Sequence, residues 1–147
     1  MAVLSSETVH ATCVAIDGKA VLLMGESGSG KSDLALRLVD RGAVLVSDDY
    51  TRLEQHGQHL LARAPATIEG QMEVRHVGIV KLPFAEDVPV YLAIHVDAEP
   101  ERLPDGASTV RLVGIDLRCF TLNAREASAP IKVELLLHSL NMKGLPA

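Results

Sequence analysis

The segment Gly25-Glu26-Ser27-Gly28-Ser29-Gly30-Lys31-Ser32 fits the pattern G-x-x-x-x-G-K-[ST] at every position. Its residue types suit the gripping of a polyphosphate. Glycines at 25, 28 and 30 let the backbone curl, so that successive N–H groups face phosphate oxygens. Lys31 has a stem long enough to reach β- and γ-phosphates, and the Ser32 hydroxyl is a hard oxygen donor suited to Mg²⁺. The apolar run 20–24 precedes the loop and a helix-like stretch, 33–40, follows it. That order places the positive end of a helix dipole against the bound anion. A glycine turn that binds nothing would also join strand to helix, yet it needs neither the lysine nor the hydroxyl. The expected ligand is a nucleotide or another polyphosphate.

A second group follows the loop helix. Asp48 and Asp49 end the short apolar run 43–46, and ligand sites of open α/β sheets lie at such carboxyl ends. One carboxylate there can coordinate Mg²⁺, directly or through water, and the other can take a proton from an attacking hydroxyl. Side chains alternate along a strand, so the pair need not point the same way. Asp is also common in solvated turns; the phosphate loop upstream favours the functional reading.

These residues need a scaffold. Residues 9–16 read as a strand, Asp17-Gly18-Lys19 as a tight turn and 20–24 as a second strand, a hairpin that leads into the loop. The loop helix carries Leu34, Ala35, Leu38 and Val39 on one face, with Gly42 as its C-terminal cap. Strand, loop, helix and strand in sequence favour parallel pairing with a right-handed crossover. Further on, 52–54 and 59–61 read as two arms around Gly57. Residues 73–80 read as one strand with Gly78 inside it, and 88–96 as another. Residues 111–120 read as a strand region and 131–140 as the final helix, closing near Gly144. The expectation is one α/β domain over 1–147, of the P-loop kinase-like kind, with a mixed sheet and the phosphate-binding loop between strand and helix.

Composition narrows the function classes. The chain of 147 residues is 48% apolar and 22% charged, ordinary for a globular protein. Aromatic residues make up 3%, Trp is absent and the formal net charge is −5, which argues against nucleic-acid binding. Cys13 and Cys119 lie outside any C-x-x-C arrangement and read as buried free thiols of a cytoplasmic protein. No apolar run approaches membrane-spanning length. An N-K-x-D segment and an L-S-G-G-Q-like stretch are both missing, which weakens GTPase and transporter-ATPase readings. Arg111, Arg118 and Arg125 are too dispersed to form the arginine-rich lid of a nucleoside kinase.

Nearly the whole chain resembles the catalytic domain of HPr kinase/phosphorylase. The resemblance rests on His10, the hairpin, the loop through Asp33, the run from Asp40-Arg41-Gly42 to Asp48-Asp49, and Glu73-Val74-Arg75-His76-Val77-Gly78-Ile79-Val80. That last block is similar to the family signature E-I-R-G-L-G-I-I. The resemblance implies an ATP- and Mg²⁺-dependent serine kinase acting on HPr, the phosphocarrier of a sugar-type or nitrogen-related phosphotransferase system. It implies that Lys31 stabilises the transferring phosphoryl group and that Ser32 holds the metal. Asp49 would be the base, with Asp48 beside it, Glu73 assisting the metal and His10 near the site. His76 replaces the signature's first glycine, a departure that bears on backbone geometry. Arg125 comes closest to the family's late arginine. The N-terminal domain and the C-terminal element tied to dephosphorylation and to the family's ring-shaped oligomer are not matched, so kinase activity is the expected half. Two other readings stay open: a P-loop kinase for a small metabolite, and a nucleotide-sensing regulator without catalysis.

Overall fold

The computed structural model describes residues 5–105 and 108–142. It opens with β1 (Ser5–Val9), β2 (Ala11–Ile16) and β3 (Lys19–Met24), then α1 (Lys31–Asp40), β4 (Val44–Ser47), β5 (Thr51–His56) and β6 (His59–Arg63). A 3₁₀ turn at Ala66–Ile68 leads to β7 (Gln71–Val74), β8 (Gly78–Lys81), β9 (Val88–His95), β10 (Thr109–Leu112), β11 (Ile115–Thr121) and α2 (Ala129–Met142). The larger sheet has nine strands in the order β1-β5-β6-β9-β3-β2-β4, with β11 also on β9 and β10 on β11. The hairpin β7–β8 stands apart from it. This is the expected α/β fold with a mixed sheet: β3 and β11 run parallel to β9, and the remaining pairs are antiparallel.

The central strands are buried on both faces, which is why they read as continuous apolar runs. Val14, Val21, Leu23 and Ile94 face α1 and α2, where they meet Leu34, Leu38, Val133 and Leu137. Ala11, Cys13, Ala15, Ala20, Leu22 and Ala93 face the other way, toward Leu53, Leu60 and Ala62 of the β5–β6 arm. Small side chains dominate this second face, so the two layers can approach closely. Cys13 and Cys119 are free and buried there, as expected.

Helix α1 ends where Gly42, at φ 111°, donates to the Val39 carbonyl while the Ala43 N–H reaches Leu38. A left-handed residue closing two orphan carbonyls is the cap the sequence predicts at Gly42. Arg41, just before it, bonds both carboxylate oxygens of Glu134 at 2.7–3.1 Å and so ties the end of α1 to α2. Helix α2 begins two residues before the expected start and takes Pro130 into its first turn, where a missing N–H costs nothing. Its expected end near Gly144 lies outside the described residues.

Four expectations need correction. The stretch 9–16 is two strands broken at His10: β1 pairs with β5, whereas β2 pairs with β3 and β4. Parallel pairing of β3 with β4 does not occur, because the hairpin partner β2 occupies that edge and separates them. β3 and β4 nonetheless point the same way, both being antiparallel to β2. Residues 73–80 form a hairpin that turns at Arg75-His76-Val77. Residues 109–121 form another, turning at Val113 (φ 49°) and Gly114 (φ 79°). Two consecutive left-handed residues make a tight turn whose twist suits a hairpin, and Val at the first of them hides the signal. Among the described residues, no helix is long and apolar enough to cross a membrane.

Candidate active site

Strand direction gathers the chemistry. β3, β4, β9 and β11 end at one edge of the sheet, and β2, running against them, begins there. Met24, Ser47, His95 and Thr121 therefore hand the chain to loops on a single rim. A cleft of about 610 Å³ opens between these loops and the β7–β8 hairpin. Ser27, Gly28, Gly30, Lys31 and Ser32 form one wall, and Asp48, Asp49, Glu73 and Arg125 face them.

The loop curls as its glycines permit. Gly28 and Gly30 have φ of 84° and 99°, and the Ser29 N–H donates to the Glu26 carbonyl at 3.1 Å. A Cβ on Gly30 would sit 3.2 Å from that of Ala124, so the loop is pressed against the segment after β11. Asp97, beyond β9, accepts the Glu26 N–H at 3.1 Å and braces the loop from the other side. Lys31 opens α1 and is 5% exposed. Its Nζ donates to the carbonyls of Gly25 (2.6 Å) and Glu26 (3.0 Å). Both partners are neutral, so the ammonium keeps its charge uncompensated at the loop's mouth, the place where an anion is strongly attracted. The Ser29 hydroxyl is buried without a partner.

The two aspartates have different environments. Asp48 is 8% exposed and accepts three hydrogen bonds. Ser32 Oγ (2.6 Å) and Thr12 Oγ1 (3.3 Å) donate to its Oδ1, and the Glu73 N–H (3.2 Å) donates to its Oδ2. It therefore locks α1, β2 and β7 together. Asp49 points out to the cleft, with a side chain 56% exposed, and shares a hydrogen bond of 2.9 Å with His10 Nε2. An ionised carboxylate only accepts, which puts the proton on Nε2. The His10 ring stacks on Tyr50 at 5.2 Å between centroids. Alternation along the chain separates the pair, as the sequence suggests.

Asp49 has φ 70°, and the Tyr50 N–H bonds the Asp48 carbonyl at 2.7 Å across it. A positive-φ residue spanned by such a bond is a γ-turn of the rare, strained kind. Strain held at the rim of a cleft is a mark of function when the surroundings over-determine it.

The donor set suits a small hard cation. Ser32 Oγ commits its proton to Asp48 and keeps its lone pairs, so hydroxyl and carboxylate offer oxygens side by side. Among the described residues no three His, Cys, Asp or Glu side chains form a metal site of their own. Glu73 lines the cleft but brings its backbone, not its carboxylate, to Asp48.

Arg125 crosses from the far wall to donate to the Gly28 carbonyl. Its segment is held by Arg37 of α1, which donates to the carbonyls of Ala124 and Glu126 (the latter at 2.9 Å) and to Asp33 (3.0 Å). The structure thus places every candidate residue at or beside one cleft, with His10 reaching it through Asp49 and Gly25 and Glu26 behind Lys31. Sequence reasoning missed Thr12, Asp97 and Arg37. Thr12 was discernible as a lone hydroxyl in an apolar strand, and Asp97 as an acid after a strand. Arg37 carries no signal beyond its spacing from Asp33.

Comparison with known proteins accords with this geometry. Residues 2–85 match the HPr Serine kinase C-terminal domain. The chain belongs to that family. HPr kinase/phosphorylase of Lactiplantibacillus plantarum is 32% identical over 139 residues, covering 86% of this chain and 42% of the relative. That of Peptoclostridium acidaminophilum is 40% identical over 121 residues, covering 80% and 39%. The chain thus spans about two fifths of the length of these relatives. The solved structure of the Hpr(Ser) kinase/phosphatase from Coxiella burnetii superposes with a TM-score of 0.80 at 28% identity, covering 93% of this chain and 97% of that one. Within the HPr kinase family framework, His76 is informative. It stands at a signature glycine yet adopts φ 72°. A residue with a Cβ there takes the left-handed conformation that turns β7 into β8.

Proposed function

We propose that this chain is a protein serine kinase that moves the γ-phosphoryl group of ATP, with Mg²⁺, onto a serine of an HPr-like phosphocarrier. The observation that carries this reading is the meeting, in one cleft, of a charge-uncompensated Lys31 with an outward-facing Asp49 held by His10. A phosphate grip alone needs no such acid. Family membership supports an HPr-like acceptor, and two buried free thiols suit a reducing, cytoplasmic setting.

In this reading the loop amides, Lys31 and Arg125 approach the phosphates from two sides and neutralise charge as it spreads over the transferring group. Mg²⁺, when bound, supplies further charge neutralisation, with Ser32 and Asp48 as the residues that would hold it and Glu73 near them. Asp49 accepts the serine proton as the serine oxygen bonds to phosphorus and the bond to the β-phosphate bridging oxygen breaks. His10 keeps the Asp49 carboxylate aimed.

The test is incubation with ATP, Mg²⁺ and candidate phosphocarriers, read by mass spectrometry for phosphoserine. Lys31→Ala and Asp49→Asn are each expected to reduce transfer at least ~100-fold with folding retained. Transfer by Asp49→Asn at the unmodified rate would remove the base assignment. Labelling of a metabolite pool but of no phosphocarrier would replace the acceptor. ATP binding without transfer or hydrolysis would make the chain a sensor.

A further inference from the structure

Thr12 is fully buried in β2 and is the one polar side chain in the run 11–16. A hydroxyl cut off from water must find partners close by. It finds both in the turn after β4. The Asp49 N–H can only donate, so Thr12 Oγ1 accepts from it at 3.0 Å. The Asp48 carboxylate, when ionised, can only accept, so the same hydroxyl gives its proton to Asp48 Oδ1 at 3.3 Å. One side chain thus grips two consecutive residues whose carboxylates point to different places.

The turn it grips does not hold itself. Asp49 occupies the left-handed region at φ 70°, which residues with a Cβ avoid, inside a three-residue turn of the strained kind. Relaxation of that backbone would swing the Asp49 carboxylate away from His10 and off the cleft. Ser47 Oγ donates to the Tyr50 carbonyl and closes the turn from outside. Thr12 closes it from inside the sheet. The β-branch of threonine restricts χ1, so its hydroxyl is directed at the turn with little conformational loss.

We propose that Thr12 is a positioning residue: its hydroxyl holds the Asp48–Asp49 turn in its strained form and thereby aims the Asp49 carboxylate. The structural part stands on the hydrogen bonds alone. The catalytic consequence rests on the kinase reading given above.

Thr12→Val keeps the shape of the side chain and removes the hydroxyl; Thr12→Ser keeps the hydroxyl and loses the methyl. Amide hydrogen exchange, resolved by NMR on the full chain, reads the turn without any substrate. The Asp49 N–H is expected to exchange at least about tenfold faster in Thr12→Val, and within about threefold of the unmodified protein in Thr12→Ser. In the phosphoryl-transfer assay, kcat is expected to fall about 30-fold in Thr12→Val with KM for ATP nearly unchanged, because Lys31 and Ser32 keep their contacts. Thr12→Ser is expected to recover most of kcat. A residue that merely supports the fold would lower stability in both variants without separating kcat from KM. Unchanged exchange at Asp49 in a folded Thr12→Val protein overturns the proposal, as does a Thr12→Ser variant no better than Thr12→Val. If the unmodified chain transfers nothing to a phosphocarrier, the kinase reading fails, and the exchange experiment still decides what Thr12 does.

Discussion

Replacing Arg37 by alanine tests whether the arginine on the far wall is placed by the helix beneath it. Arg37 makes three bonds: two to main-chain carbonyls at Ala124 and Glu126, either side of Arg125, and one to Asp33. The ion pair with Asp33 is one turn apart on a helix and its acid is 71% exposed, so it contributes at most ~0.5 kcal/mol. Each carbonyl bond has a charged donor and would be worth roughly 1.5–3 kcal/mol if dry. The Arg37 side chain is 28% exposed, and water can replace part of each bond. A net loss of about 2 kcal/mol is therefore expected for the docking of this segment, close to a 30-fold change in its docked-to-undocked ratio. Since the Ala129 N–H also bonds the Glu126 carbonyl, loosening reaches the start of α2. We expect a melting temperature lower by about 4–8 °C and a phosphoryl-transfer kcat lower by about ten- to 30-fold. The decisive assay is a double-mutant cycle. If Arg37 acts through Arg125, the Arg37→Ala/Arg125→Ala protein has the kcat of Arg125→Ala alone. Independent, multiplying effects on kcat, or an Arg37→Ala protein with full turnover, would refute the reasoning. Arg37→Lys should recover little, because one ammonium cannot reproduce the planar fork that reaches both carbonyls.

Two further outcomes follow from burial and charge. Burial pushes the Cys13 and Cys119 thiols up from their ordinary values, so neither should react with an aromatic disulfide reagent at neutral pH in the native state, and both should react on unfolding. Reaction of Cys13 in the folded protein at the rate of a free thiol would contradict its placement. The Glu54 carboxyl is held below its usual range, chiefly by its hydrogen bond from Arg52 and further by His56, against an opposing effect of burial. A depressed carboxylate stabilises the fold above its unfolded pKa of about 4.3 and loses that contribution as pH falls through the folded value. Thermal melts should accordingly show Glu54→Gln less stable than the unmodified chain near pH 7, with the gap closing below about pH 4; a gap independent of pH would count against the ion pair.

The parts of the site that were legible in the sequence are those governed by neighbours in the chain. Loop residues 25–32, the capped helix after them and the Asp17-Gly18 turn each carry local signals: glycine spacing, apolar period and turn chemistry. Asp48 and Asp49 could be placed because a short strand's carboxyl end follows from its boundaries. The hairpins at 71–81 and 109–121 were less clear, since His76 and Val113 take left-handed conformations that glycine or asparagine would advertise. Family resemblance, not spacing, drew attention to His10, Glu73 and Arg125.

Residue identity by itself determined that this chain carries a glycine loop of the pattern G-x-x-x-x-G-K-[ST], an acid pair and a core apolar enough to bury the strands beneath them. Only the tertiary structure decided which acid faces the cleft, which arginine reaches the loop and which hydroxyl steadies the turn. Arg125 meets Gly28 across 97 positions, and Thr12 meets Asp48 across 36. Such meetings depend on β9 lying between β3 and β11 and on β2 lying between β3 and β4. Strand order is set by burial of whole faces against one another, a cooperative property that no short stretch of chain expresses.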